Sequence, residues 1–411
     1  MAPCSRPSFF LHSLAALAVF AIATALSQAA KPSATLVRPL PNRFAELLGK
    51  TNQEVDAKIN AAWQQLFYGR DEDQRVFYPV QGEMAYIADT GNVDVRTEGM
   101  SYGMMIAVQF NKRAEFDRLW KWAKTHMYHP DGPRHGYFAW QCRYDGTQID
   151  PGSASDGEEW FAMALLFAAN RWGSGEGIFN YAEEAQALLD AMRTENRSGG
   201  ITAIFNKEHK QVVFAPTESA SKFTDPSYHL PAFYELWARW DKNAEGRAFW
   251  AACAAESRAY FHRAAHPETG LMPEYSEFDG RPRPGDRGDF RYDAWRSIAN
   301  VALDHAWFGK DPWQVERTTR VLNFLAKNGP DYPNQFTLDG RPLSSQSSRG
   351  LFSMAAVGAL AVDKTLGKPF VQRLWEIEIP AGKYRYYDGL LYFLGLLQVS
   401  GRFEVYAPQS R

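Results

Sequence analysis

Three acidic side chains stand where helices are expected to begin, each beside residues suited to handling a polar substrate. Glu98 lies in RTEGMSYG (96–103), Asp156 in ASDGEEW (154–160) and Asp293 in FRYDAWR (290–296). Thr97 suits an N-cap for the first of these helices. Gly99 and Gly103 follow four residues apart, so one side of the turn beyond Glu98 is nearly bare and leaves room for a ligand. Arg291 and Arg296 flank Asp293 closely, while Tyr292 and Trp295 add flat stacking surface. Each acid also has a plainer explanation. Glu98 could simply complement the helix dipole, Asp156 could be an ordinary cap, and Asp293 could belong to a surface ion-pair cluster.

The chemistry such acids suit is a reaction needing two carboxyl groups in opposite protonation states. One donates a proton to a leaving oxygen, and the other activates water or attacks directly. A helix N-terminus favours the ionised form, which suits Asp293 as a base. It works against Glu98 as an acid, unless burial and a neighbouring carboxylate such as Asp156 raise its proton affinity.

Other chemistries find little support. No H-E-x-x-H or C-x-x-C is present, and His126 and His129, three apart, have nothing nearby to complete a metal site. No G-x-S-x-G elbow, phosphate loop or dinucleotide fingerprint occurs, so neither metal nor cofactor is expected. Arg287-Gly288-Asp289 reads as incidental loop composition. Lys plus Arg (45) nearly balances Asp plus Glu (47), which argues against a nucleic-acid or anionic-membrane partner. With 13 Trp, 19 Tyr and 27 Phe, aromatics make up 14% of the 411 residues. That fits either a ring-rich core or a cleft whose flat faces stack on sugars.

The elements that must hold these acids are helices. Apolar spacing near 3.6 predicts helices over 53–67, 98–111, 114–127, 156–171, 180–193, 227–241, 246–263, 292–307, 312–327, 349–365, 368–376 and 386–399. About a dozen helices without a repeated motif suggest a closed all-α double ring. Loops over 128–155, 264–291 and 328–348 are long enough to expect function in them. At the N-terminus, Arg6 precedes an apolar run from Leu14 to Leu26, with Ser27-Gln28-Ala29 resembling a cleavage site. We expect residues 1–30 to be a signal peptide, and 31–411 to form one catalytic domain, exported to the periplasm or medium and monomeric. No later stretch is apolar enough to span a membrane. Of three cysteines, Cys142 and Cys253 would persist, and two unpaired thiols are favoured over a disulfide.

Taken together, RTEGMSYGMMIAVQ, ASDGEEWFAMALLFAANRWG, FTDPSYHLPAFYELWARW (223–240), RYDAWRSIANVALDHAWFG and RYYDGLLYFLGLL (385–397) resemble glycoside hydrolase family 8, in the family's order. The resemblance implies an (α/α)6 barrel and an inverting, metal-free mechanism. It also implies Glu98 as general acid, Asp293 as general base, Asp156 positioning the sugar at the cleavage point, and Arg296 associated with the base. The D-G-E-E form at 156–159, in place of A-[ST]-D-[AG]-D, together with D-P-S-Y-H-L-P, looks like the xylan-active branch, closest to enzymes that release xylose from the reducing end of xylo-oligosaccharides. In that branch a late-loop His closes the cleft. The comparable stretch here, 339–351, has none, and Arg349 is the candidate to fill its place. Trp140, Trp160, Tyr228 and Tyr386 are the expected sugar-contacting aromatics. The rivals are an endo-β-1,4-xylanase, less favourably an endoglucanase, and a non-catalytic periplasmic sugar-binding protein.

Overall fold

The computed structural model describes residues 37–195 and 197–408, so the expected signal peptide lies outside the described residues. Two kinds of helix alternate along the chain, and burial separates them. Thr97–Gln109 (α3), Ser155–Trp172 (α5), Pro231–Trp240 (α7), Arg296–Trp307 (α9), Arg349–Val357 (α11) and Arg385–Val399 (α13) are enclosed nearly all round. Helices apolar on every face belong in an interior. Between them run Asn52–Tyr68 (α2), Arg113–Trp122 (α4), Tyr181–Arg193 (α6), Ala244–Ala264 (α8), Trp313–Lys327 (α10) and Lys364–Glu376 (α12), each with an exposed face. In α6, for example, Tyr181, Ala185, Leu188, Leu189 and Met192 form the buried stripe.

Each outer helix packs on an inner one: α4 on α3, α6 on α5, α8 on α7, α10 on α9, α12 on α11, and α2 on α13. Inner helices also touch their neighbours. Trp160 of α5 meets Phe233 of α7 at 5.0 Å between ring centroids, and α13 closes the ring against α3. This is the expected (α/α)6 barrel. Among the described residues no helix is long and apolar enough to cross a membrane, and Cys142 and Cys253 are buried and unpaired.

The departures from the sequence reading are local. A short helix, Arg43–Leu48 (α1), precedes the ring, capped by Asn42, and was not predicted. The expected helix over 349–365 stops at Val357, passes through a 3₁₀ turn at Gly358–Leu360, and a new helix starts at Lys364 under an Asp363 cap. The helix expected from 227 starts at Pro231, where proline suits the first turn, after a separate 3₁₀ turn at Pro226–Tyr228. The strands went unread because they are short or lack alternation. Phe77–Val80 (β1), Met84–Asp89 (β2), Asp94–Arg96 (β3), Gln141–Cys142 (β4) and Gln148–Asp150 (β5) form an antiparallel sheet in that order. Five consecutive residues of β2 are buried, which erases the period of two that marks a half-buried strand. Phe205–Asn206 (β6) and Gln211–Val212 (β7) make a separate hairpin. The larger sheet has a positional role. Strand β3 runs directly into α3, and Thr97 N–H donates to the Trp140 carbonyl at 3.0 Å, which fixes where Glu98 emerges.

Candidate active site

The first turns of the inner helices come together at one end of the barrel, so side chains distant in sequence meet there. Arg296, at the start of α9, is the hub. Its Nη1 donates to Glu98 Oε2 at 3.1 Å, to Asp156 Oδ2 at 2.8 Å and to the Tyr102 hydroxyl. Its Nη2 donates to Ser227 Oγ at 3.0 Å and pairs with Asp293 Oδ1 at 3.1 Å. Three carboxylates from three helix starts therefore share one guanidinium, which a planar fork of five donors can serve and an ammonium could not.

Glu98 is the one residue of α3 not fully enclosed. Tyr386, in the first turn of α13, donates its hydroxyl to Glu98 Oε1 at 2.9 Å. Burial raises the Glu98 pKa to about 8; Arg296 pulls it down, Asp293 and Asp156 push it up, and the Tyr386 bond pulls it down. Burial thus dominates, and two neighbouring carboxylates contribute where one was expected. Asp156 is also raised by burial, against the pull of Arg296. Exposure separates the two aspartates: the Asp293 side chain keeps 25% of its surface accessible and Asp156 only 5%. Asp293 can reach water, while Asp156 can act only on what sits directly over it. Tyr387 donates to Asp293 Oδ1 at 3.4 Å.

Several sequence expectations change in this light. Thr97 is not the cap of α3: the helix begins at Thr97, Arg96 precedes it, and no side chain caps the end. The bare face after Glu98 is not ligand space. A Cβ on Gly99 would lie 2.4 Å from the Tyr386 ring, and one on Gly103 would lie 2.7 Å from Ile87. These glycines admit protein, and Gly99 is what lets Tyr386 reach the acid. Asp156 is no cap either, because it sits inside the first turn of α5 and faces Arg296.

The aromatic candidates divide. Tyr386 touches Glu98, and the Tyr228 ring lies 5.5 Å from the Arg296 guanidinium, so both belong to the cluster. Trp140 is half-buried beneath Arg96, 5.4 Å away, on the strand side of the same end. Trp160, one turn below Asp156, packs edge-on against Tyr102 at 4.7 Å and Phe233 at 5.0 Å, as part of the barrel interior. Arg349 is not brought to the hub. It pairs loosely with Glu378 at 3.6 Å and lines an open cavity of about 450 Å³ with Ser347, Phe352, Arg373 and Asp388.

Sequence reasoning missed Tyr102, Ser227 and Tyr387. Tyr102 was findable, since it lies one turn beyond Glu98 on the same helix face. Ser227 and Tyr387 adjoin residues that were singled out. Two more buried acids, Glu158 and Glu159, lie below Asp156: Glu158 accepts the Phe138 N–H at 3.0 Å and Glu159 accepts the Tyr234 hydroxyl. Burial lifts Glu158 to about 8 and Glu159 well above the usual carboxylate range.

A buried carboxyl that keeps its proton, beside a more open carboxylate, on a double ring of helices, is an arrangement suited to acid–base hydrolysis. Comparison with known proteins gives the class its family. The sequence profile of glycosyl hydrolases family 8 matches residues 74–401, and the chain belongs to that family; it is a glycoside hydrolase. Among its relatives, the reducing-end xylose-releasing exo-oligoxylanase Rex8A of Paenibacillus barcinonensis is 45% identical over 364 residues, 87% of this chain and 94% of that one. The reducing end xylose-releasing exo-oligoxylanase of Halalkalibacterium halodurans is 41% identical over 91% of this chain and 96% of its own. The crystal structure of a GH8 xylobiose complex from Teredinibacter turnerae superposes with a TM-score of 0.87 at 44% identity, covering 90% of this chain and 98% of that chain.

Proposed function

We propose that this glycoside hydrolase cleaves β-1,4-xylosidic bonds by single displacement and releases xylose from the reducing end of xylo-oligosaccharides. Glu98 protonates the leaving oxygen while Asp293 takes the proton of a water on the opposite face of the sugar. Asp156 and Arg296 hold the sugar and the base. A water between acid and base requires carboxyl groups roughly 6.5–9.5 Å apart. The observation that carries the chemistry is the Arg296 hub, where the enclosed acid retains its proton to about pH 8 and the base stays in reach of water. The substrate class rests on the relatives, which are named as reducing-end xylose-releasing enzymes over nearly the full chain. Residues 31–411 act as one catalytic domain, monomeric and exported behind the 1–30 signal, with no metal or cofactor taking part.

One observation favours the endo-xylanase reading. The 339–351 stretch has no histidine, and Arg349, 39% exposed and loosely held, leaves a cavity open beside it. Product analysis on reduced and unreduced xylotetraose, with polymeric xylan alongside, decides. Xylose appearing one unit at a time from the unreduced oligomer, with xylan nearly untouched, is the expected result. Mixed oligomers released rapidly from xylan would replace exo by endo action.

A further inference from the structure

The buried Arg258 and Arg296 pair with carboxylates, whereas among the described residues the buried Arg317 and Arg385 have no ion-pair partner. Arg385 ties down the neighbouring 71–78 stretch through its carbonyls, while Arg317 sits fully buried on α10. All its donors go to neutral oxygens. Nε donates to the Gly270 carbonyl at 2.9 Å, Nη1 to the Ser297 carbonyl at 3.1 Å and Nη2 to Ser297 Oγ at 3.0 Å. Burying a charge without a counter-charge is costly, and an apolar side chain would brace two helices more cheaply. The contacts therefore need a reason beyond packing.

The reason lies one hydrogen bond further on. Ser297 Oγ donates in turn to the Ala294 carbonyl at 2.7 Å. Ala294 belongs to the 3₁₀ turn Tyr292–Trp295, which carries Asp293 and delivers the chain to Arg296. That turn is strained: Tyr292 has φ +23°, a conformation bulky residues avoid unless their surroundings impose it. Gly270 completes the arrangement. At φ +71° its Cβ would meet the Arg317 carbonyl at 2.9 Å, so the 264–291 loop can lie against α10 only with glycine there.

Resting on the assignment of Asp293 as base, we propose that Arg317 and Ser297 are positioning residues. They form a brace from the outer ring that holds the strained Tyr292–Trp295 turn and aims Asp293. Neither touches substrate. A small misplacement of a reacting group costs on the order of 10²-fold in rate, so loosening the brace should slow turnover while leaving substrate binding nearly intact.

The test compares Ser297→Ala, Arg317→Lys and Leu325→Ala in the full-length enzyme on xylotetraose, with Asp293→Asn as reference. Leu325→Ala, on the same helix and fully buried, loses stability while leaving the bonds of the brace in place. Arg317→Lys keeps the charge but loses the fork. The expected result is kcat down at least about 10-fold in both brace variants, KM changed less than about twofold, and Leu325→Ala at wild-type kcat despite a lower Tm. Brace variants with wild-type kcat, or losing kcat only as far as Leu325→Ala does, overturn the proposal. Should Arg317→Lys fail to fold, Ser297→Ala alone decides. Wild-type turnover in Asp293→Asn would instead overturn the base assignment on which the brace depends.

Discussion

Two buried arginines in this molecule gather carboxylates, and they do opposite things to them. On the outer side of the ring, Arg258 grips Asp304 with two bonds of 2.7 Å and Glu235 with one of 2.8 Å, and Lys310 and Arg239 add further positive charge to Glu235. Cations there at least match the acids, and the Glu235 pKa is lowered despite burial, because Lys310 and Arg258 hold its anion. At the barrel mouth, Arg296 alone faces Glu98, Asp156 and Asp293. Burial is the largest push there, two neighbouring carboxylates add to it, and one guanidinium does not offset them, so Glu98 is raised to about 8. The same residue types thus give a structural clamp in one place and a carboxyl that keeps its proton in the other. Depth of burial and the balance of charge, rather than the residue types, separate them.

Substitution tests that contrast most directly. Glu98→Gln and Asp293→Asn are each expected to lower kcat by about 10²–10⁴-fold, the usual share of a general acid or base, with xylo-oligosaccharide binding retained by calorimetry. Arg258→Met should show the reverse. Stranding Asp304, which has no other ion-pair partner among the described residues, is expected to cost about 3–5 kcal/mol in denaturant unfolding, while kcat at a permissive temperature stays within about twofold. An Arg258→Met enzyme that loses kcat without losing stability would erase the distinction.

The pH profile sharpens it further. Turnover by a protonated Glu98 must fall as pH rises through about 8. Tyr386→Phe removes a bond that favours the anion, so the alkaline limb of kcat/KM should move upward. A limb that moves down, or stays fixed, would mean another group sets it. The smallest effect is on stability. A carboxyl whose folded pKa exceeds its unfolded value opposes folding once pH passes the unfolded value, and fully so above the folded one. Glu98→Gln should therefore have a higher Tm than the native enzyme at pH 9, and little advantage at pH 4.

What the sequence made legible were features with local signatures. Glu98, Asp156 and Asp293 stood out because acids at helix starts are read within a few residues, and the helical period marked both rings. What it hid was assembled from a distance. The gap beside Gly99 looked empty because the ring that fills it lies at Tyr386. Trp160 looked like a sugar platform because nothing nearby told of Phe233 packing against it. Three of the five sheet strands are two or three residues long, below the length at which alternation shows, and the longest, β2, is buried at five consecutive residues.

The bond between Tyr386 and Glu98 joins residues 288 positions apart, across the seam where α13 closes the ring. Synthesis runs from the N-terminus, so the acid leaves the ribosome long before the helix that shelters it. Until α13 docks, the turn carrying Glu98 lacks the cover of the Tyr386 ring, and access to water favours the ionised form, which has no proton to give. Completion of the chain is in this sense the switch that arms it, and an unfinished or C-terminally clipped molecule is expected to be silent. A chain ended at Lys383 should show no turnover even where its remaining helices form.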